Sequence, residues 1–123
     1  MTIERENAIA SLTHLKRILS RFSSFDPKMQ LSTVMTLLEI AAADIDGREI
    51  SVLDIEKAVG LLSGTASRNV YYWGEGHKDM KGGHNFIKID FGTDRRKRSL
   101  RLTPKGNAFI SNLVGDIGRT KSD

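Results

Sequence analysis

The sequence contains no cysteine, only two prolines and no long apolar run. The absence of cysteine excludes disulfide bonds, thiol catalysis, thiol-based redox sensing and cysteine-ligated zinc. No apolar stretch approaches the roughly 20 residues that a membrane-spanning helix needs. The N-terminal stretch MTIERENAIASL is charged and lacks the apolar block of a secretory signal peptide. These absences lead us to expect a cytoplasmic protein without a membrane partner.

The positive charge of the chain is concentrated in one segment. The 123 residues are 39% apolar and 28% charged, which fits a single domain with a core. Residues 1–64 have a net charge of −2, residues 65–105 of +6 and residues 106–123 of zero. A localised basic segment indicates a polyanionic partner, but it also suits a solvated face that keeps the protein soluble. Charge alone leaves both interpretations open.

The first segment is predicted to be a long helix from about Ile3 to Phe22. Its apolar residues are spaced by four and three positions, as in the seam between paired helices. They are Ala8 and the four candidate dimerisation residues Leu12, Leu15, Leu19 and Phe22. The seam would pack either on the protein's own core or on a second copy, so residues 1–27 are a candidate dimerisation element.

A second helix is predicted over residues 28–44, opened by Asp26 and Pro27. Its apolar residues form a broad stripe that should face the core. They are Leu31, Val34, Met35, Leu38, Ala41 and Ala42. Residues 44–48 are polar and contain Gly47, which indicates a turn, and Glu49-Ile50 is a candidate short strand.

Two short helices joined by a tight turn come next. Ser51 with Asp54 forms a variant of the capping box and begins a helix over Val52–Val59. Gly60 suits the left-handed turn that ends this helix. Ser63 is then predicted to cap a helix over residues 64–73, with one buried face formed by Ala66, Val70 and Trp73. Two short helices in this arrangement are typical of a helix-turn-helix.

A β-hairpin and a last helix complete the predicted domain. After a glycine-rich loop over Gly74–Asn85, Phe86–Phe91 alternates as a half-buried strand, and Arg95–Leu102 returns beside it. Thr103 caps the last helix, with Pro104 in its first position. We therefore predict a mainly α fold with a β-hairpin wing over residues 28–115, which is a winged helix-turn-helix, and a flexible tail over residues 116–123.

The paired helices and the hairpin resemble those of MarR-type winged-helix regulators. The resemblance covers about residues 30–115 and is carried by VGLLSGTASRNVYYW in the helices and by IKIDFGTDRRKRSLRLTPKG in the wing. Its most specific parts are Asp94-Arg95-Arg96 and Leu102–Gly106. It implies a recognition helix near residues 64–74 in the major groove of DNA and wing arginines at the minor groove or the phosphates. It also implies a homodimer formed by the terminal helices.

Both elements contain candidate DNA-binding residues. Arg68 can bind guanine edges and Thr65 can contact a thymine methyl group, while the amides at the start of the helix can hold a phosphate. The candidates in the recognition helix are Ser63, Gly64, Thr65, Ser67, Arg68, Asn69 and Tyr72. The candidates in the wing are Lys88, Asp94, Arg95, Arg96, Lys97, Arg98 and Arg101. The alternatives are a solvated turn for the wing, a surface ion pair for Arg68 and a packing role for Tyr72.

No arrangement of residues indicates catalysis. His77 and His84, with Glu75 and Asp79, form at most a weak candidate metal site, because they lie on a loop without cysteine. No nucleophile triad or phosphate-binding glycine loop stands out. We expect a DNA-binding transcriptional regulator, not an enzyme, with no cofactor or metal. The alternatives are a winged-helix module that binds protein and a ligand-responsive repressor with a cleft beside the first helix; the sequence names no effector.

Overall fold

The computed structural model describes residues 4–76, 83–91 and 98–119, with the backbone alone for Phe91, Arg98 and residues 116–119. The described elements follow the predicted winged-helix order. They are α1 (Arg5–Ser23), α2 (Leu31–Ile45), α3 (Val52–Val59), α4 (Ser63–Trp73), β1 (Ile87–Phe91), β2 (Arg98–Leu102) and α5 (Pro104–Arg119). None of the described helices is long and apolar enough to cross a membrane. The mainly α fold with a β-hairpin wing is confirmed.

The chain divides into two compact units. Unit 1 combines Met1–Met29 with Ile110–Asp123, and unit 2 is Gln30–Phe109. Unit 1 contains α1 and the second part of α5, and its buried apolar residues are Phe22, Ile110 and Leu113. α5 continues to Arg119, into the segment where the sequence predicted a flexible tail. A glycine inside a helix costs only about 1 kcal/mol relative to alanine, so Gly115 does not end it.

In unit 2, α2 begins at Leu31 and not at the predicted residue 28. Residues 26–29 form a turn of their own, in which the Lys28 amide donates to Asp26 Oδ1 at 2.9 Å and the Met29 amide donates to the Asp26 carbonyl at 3.0 Å. An aspartate that binds the amide two residues further along stabilises a turn and not a helix. The helix therefore starts only after this turn.

The buried face of α2 differs from the predicted stripe. Leu31 and Met35 are 68% and 37% exposed, whereas the buried residues of the helix include two threonines. The buried set is Thr33, Val34, Thr36, Leu37, Ile40, Ala41 and Ala43. Because α2 contacts α3, α4 and β2, a broad sector of the helix is buried. The predicted stripe is therefore correct for Val34 and Ala41, but it missed Leu37, Ile40 and Ala43 as well as the two threonines.

The helix-turn-helix forms as its capping residues predicted, with one shift. The Asp54 amide donates to Ser51 Oγ, and the Ser51 amide donates to Asp54 Oδ2, which completes the capping box. Gly60 ends α3 with φ +79°. Ser63, however, is the first residue of α4 and not its cap, since Leu62 has the extended backbone of the N-cap position.

The hairpin is antiparallel and pairs Ile87 with Leu102 and Ile89 with Leu100. Leu100, Leu102 and Ile87 are buried, while Ile89 is 41% exposed. The candidate strand at Glu49-Ile50 does not form. The Ile50 carbonyl accepts a hydrogen bond from the Leu100 amide at 2.8 Å. That bond ties β2 to the segment before α3.

The start of α5 packs directly on the entry to the hairpin. Thr103 Oγ1 accepts from the Gly106 amide at 3.0 Å, which confirms the predicted cap, and donates to the Asn85 carbonyl at 2.6 Å. A Cβ atom at Gly106 would overlap the Phe86 carbonyl group. The backbone of α5 can therefore approach Phe86 this closely only because residue 106 has no side chain.

Gly106→Ala is expected to destabilise the protein by about 1–3 kcal/mol, because the new methyl group meets backbone that cannot rotate away. Urea unfolding monitored through Trp73 measures the change. Gly115→Ala in the same helix is the matched control: a Cβ there meets nothing within 4 Å, so this variant should be neutral or more stable. Equal stability of the two variants would contradict the close approach at Phe86.

Candidate nucleic-acid interface

α4 buries one side and exposes the other. Its buried residues are Ala66, Asn69, Val70 and Trp73, a spacing of three, four and seven that places them on one helical face. The predicted core face of Ala66, Val70 and Trp73 is confirmed. Asn69 is a fourth member, at 6% exposure, that the sequence pattern did not assign to it.

A buried polar ladder joins α4 to α2. Thr33 Oγ1 donates to Asn69 Oδ1 at 3.0 Å, and Asn69 Nδ2 donates to Thr36 Oγ1 at 3.2 Å. Thr36 Oγ1 in turn donates to the Ser32 carbonyl at 2.8 Å. One turn further along α4, Trp73 Nε1 donates to the Thr33 carbonyl at 2.7 Å. Among the described residues no buried side-chain nitrogen or oxygen lacks a partner.

The expectation that Asn69 contacts DNA bases is therefore wrong for this structure. Its amide group is buried and bonded on both sides by α2, so it does not reach the exposed face of α4. The signal that could have revealed this is the spacing of Thr33 and Thr36 in the otherwise apolar α2. Threonines one turn apart on a buried face need polar partners, and Asn69 supplies them.

The outward face of α4 presents small polar residues and one cation. Ser63, Gly64 and Arg68 are exposed, while Thr65 and Ser67 are half-buried. The helix SGTASRNVYYW contains no acidic residue. No side chain caps its N-terminus, which leaves the first amides of the helix for other acceptors. These features suit contact with a polyanion.

The C-terminal end of α4 is bonded to the entry of the hairpin. The Gly83 amide donates to the Tyr72 carbonyl at 3.0 Å, the Phe86 amide to the Trp73 carbonyl at 2.7 Å and the Asn85 amide to the Gly74 carbonyl at 2.8 Å. These bonds satisfy carbonyl groups that a helix leaves without partners at its end. The structure thus joins the candidate recognition helix directly to the base of the candidate wing.

Aromatic packing reinforces this junction. The Tyr72 ring meets the rings of Trp73 and His84 edge-on, with centroid distances of 5.0 Å and 4.9 Å. Trp73 stacks on Phe86 at 5.9 Å, and Phe86 stacks on Phe109 at 4.8 Å. Tyr72 therefore has the packing role that the sequence left as an alternative to a DNA contact.

The two described wing cations have different surroundings. Lys88 and Arg101 are cross-strand partners in the hairpin, and both are exposed. Arg101 Nε donates to Asp44 Oδ1 at 2.8 Å, and the Leu102 amide donates to Asp44 Oδ2 at 3.2 Å. The ion pair and the Leu102 bond connect β2 to the end of α2, while Arg101 stays exposed and remains a candidate DNA-binding residue of the wing.

Lys88 lies beside α4. It lines a cavity of about 280 Å³ together with Val70 and Tyr71 of α4 and Ile87 of β1. Gly74 and the acidic Glu75, which follow α4, line the same cavity. The structure therefore brings Lys88 and α4 together.

Several candidates lie outside the described residues. They are Asp94, Arg95, Arg96 and Lys97 of the wing and His77 and Asp79 of the loop. Of Arg98, the backbone is described, in β2. Within the described part of the chain, no three histidine, aspartate or glutamate side chains are grouped so that they could hold a metal ion.

The apolar seam of α1 is mostly exposed. Leu12, Leu15 and Leu19 are 59%, 51% and 42% exposed, and Ile9 beside them is 53% exposed. Phe22 is only 2% exposed. Phe22 therefore belongs to the protein's own core, which corrects its place among the candidate dimerisation residues. The three leucines form an unpartnered apolar row along the helix.

Solved structures of MarR-type proteins share this architecture. S. aureus MepR bound to ethidium bromide matches with a TM-score of 0.68 at 16% identity, over 98% of this chain and 79% of that one. The S. aureus MepR–DNA complex matches with a TM-score of 0.64 at 16% identity, over 96% and 84%. A mutant of E. coli MarR matches with a TM-score of 0.59 at 15% identity, over 98% and 80%. The chain has the MarR-type winged-helix fold.

The likeness lies in structure and not in sequence. No family model matches the chain, and no curated protein matches it. At 15–16% identity the shared MarR-type fold does not by itself transfer a function. The function therefore has to be inferred from the surface that this chain itself presents.

We expect the stability of this winged helix to depend on the protonation of His84. Burial against the aromatic rings lowers the pKa of His84 below its ordinary value of 6.5, and the nearby charge of Lys105 lowers it further. The unfolded chain then binds a proton at a higher pH than the folded protein. Stability should therefore fall as the pH drops through 6.5 toward the folded-state pKa of His84. Urea unfolding midpoints across this pH range measure the effect.

His84→Gln should remove this part of the pH dependence, whatever it does to stability at neutral pH. Lys105→Gln keeps the histidine and removes the neighbouring charge, so its slope should be shallower than that of the unsubstituted protein. A slope in His84→Gln as steep as in the unsubstituted protein would contradict the assignment to His84.

Proposed function

We propose that the chain is a transcriptional regulator that binds double-stranded DNA as a homodimer, with α4 in the major groove and the wing against the backbone. The observation that carries this proposal is the outward face of α4. Arg68 is exposed there, close to the half-buried Thr65 and Ser67. The helix contains no acidic residue. A helix of this kind, held by a helix-turn-helix, is how many proteins reach base edges.

The charge distribution supports DNA as the partner. Residues 65–105 have a net charge of +6, and four consecutive cations, Arg95 to Arg98, lie in the wing segment. Arg101 pairs with Asp44, whereas no ion pair is described for the exposed Lys88 and Arg68 in the described part of the chain. Cations on the wing would replace the counterions condensed on a duplex, which contributes affinity without sequence preference. Arg68, Thr65 and Ser67 would then read the bases.

The structural neighbours support the same proposal. One of the solved structures that share this fold is a complex of S. aureus MepR with DNA. The bonds between the end of α4 and residues 83–86 would hold the helix and the wing base together on one duplex. A protein-binding module on the same fold would need apolar or acidic wing residues in place of Arg95 and Arg96.

The exposed row of Leu12, Leu15 and Leu19 supports a homodimer. An apolar row along one helix of a monomer would remain in water unless a partner covers it, and a second copy of the same helix presents the same spacing. Two copies would place two recognition helices on half-sites about one helical turn of DNA apart.

Arg68→Ala is expected to change sequence preference. Selection from a random duplex library identifies the preferred site of the unsubstituted protein, and fluorescence anisotropy then compares that site with random duplex. Loss of the hydrogen bonds from Arg68 to a guanine should weaken binding to the preferred site by about 1–3 kcal/mol. The affinity for random DNA should change little. Equal losses on both duplexes would exclude a base-reading role for Arg68.

The matched comparison is Arg95→Ala/Arg96→Ala/Arg98→Ala. Because binding to phosphates is independent of sequence, this variant should lose affinity for both duplexes alike. The slope of log K against log salt should become shallower by about 0.9 for each phosphate that the variant no longer neutralises. Unchanged binding by this variant would exclude the wing. If the unsubstituted protein binds no duplex at all, the protein-binding alternative takes the place of this proposal.

Leu12→Ser/Leu15→Ser is expected to weaken the dimer while leaving the fold intact, because both side chains are exposed in the single chain. Replacing two leucines in each copy should raise the dissociation constant at least about tenfold. Sedimentation equilibrium measures it. Arg17→Ser, at another exposed position of α1, is the control and should dimerise normally. An unaffected dimer in the leucine variant would place the interface elsewhere.

A further inference from the structure

The polar ladder between α2 and α4 consists of directional hydrogen bonds along the buried face of α4. Thr33 is used twice: its hydroxyl donates to Asn69 Oδ1 and its carbonyl accepts from Trp73 Nε1. Asn69 and Trp73 are four residues apart, so two points about one turn apart on α4 are bonded to a single residue of α2. Thr36 adds a third bond, from Asn69 Nδ2.

Ala66 and Val70 of the same face would not fix the helix so closely, because both are small and hydrophobic contact has no preferred direction. Successive residues of a helix are about 100° apart around its axis, and Asn69 directly follows Arg68. A rotation of α4 that broke the Asn69 bonds would therefore also turn Arg68, and with it the side chain that is proposed to enter the groove.

We propose that Asn69 is a positioning residue for DNA reading: its bonds to Thr33 and Thr36 set the rotation of α4 and thereby decide which side chains meet the base edges. The inference depends on the proposed function of α4. It predicts that the ladder controls sequence preference separately from stability. If the ladder were purely structural, breaking it would lower the fraction of folded protein and so weaken binding to preferred and random duplex by the same factor.

The deciding variant is Thr33→Val/Thr36→Val/Asn69→Leu. It replaces the hydroxyl and amide side chains of the ladder with apolar groups of similar size, so that none of the ladder's hydroxyl or amide groups remains without a partner, a change that is often neutral or stabilising. The Trp73 bond survives, because its acceptor is a backbone carbonyl. We expect unchanged or higher resistance to urea, together with a ratio of affinities for preferred and random duplex that falls about tenfold.

The matched control is Thr33→Ser/Thr36→Ser. This variant keeps both hydroxyls and loses two buried methyl groups, so it should be less stable and still retain the affinity ratio of the unsubstituted protein. The apolar triple variant should therefore lose sequence preference and keep its stability, whereas the serine variant should lose stability and keep its sequence preference. Affinities are measured at a temperature where circular dichroism shows all variants to be folded.

Two results overturn the inference. One is an apolar triple variant that folds and keeps the affinity ratio, and the other is a serine variant that loses it. If the triple variant does not fold, Thr33→Val alone removes one bond of the ladder, and an unchanged ratio in that folded variant overturns the inference equally. An unsubstituted protein that binds duplex DNA without any preference contradicts the proposed function itself.

Discussion

The orientation of α4 depends on a short set of buried hydrogen bonds with α2. Thr33, Thr36 and Asn69 satisfy one another inside a core that is otherwise apolar, and Trp73 adds a bond to the Thr33 carbonyl. Because the polar atoms are buried, breaking any one of these bonds leaves a group without the water that would replace its partner. Arg68 is exposed on the side of α4 that faces away from this buried set.

Carboxylates elsewhere in unit 2 are used within the fold. Asp44 binds Arg101 and the Leu102 amide, Asp46 binds Arg48 at 2.6 Å, and Asp54 closes the cap of α3. None of them lies on α4. These three carboxylates therefore bind partners at helix ends and at β2, and none of them belongs to the proposed reading helix. This local pairing is why the net charge of a segment overstates the number of cations that it can offer to DNA.

Much of the fold could be predicted from local signals, because a cap or a left-handed glycine is determined by neighbouring residues. Ser51 with Asp54, Gly60, and Thr103 before Pro104 each ended or began an element as expected. The errors have a common origin in tertiary contacts. The burial of Thr33, Thr36 and Asn69 was not predicted, because apolar periodicity cannot detect threonines that bind an asparagine on another helix. The ion pair of Arg101 was not predicted either, since its partner Asp44 is distant in sequence.

The junction between α4 and the hairpin constrains how such a protein could be regulated. The last carbonyls of α4 accept hydrogen bonds from Gly83, Asn85 and Phe86, and the rings of Tyr72, Trp73 and Phe86 pack across the same place. A helix held at its end by the entry to β1 and along its length by α2 cannot rotate alone without breaking buried bonds. If α4 binds DNA as proposed, moving α4 and the hairpin base as one body would change the DNA affinity at lower free-energy cost than turning α4 within unit 2. If two copies bind one duplex, each copy contributes one such body of α4 and hairpin base. A regulator could then change the DNA affinity by changing the distance between the two bodies.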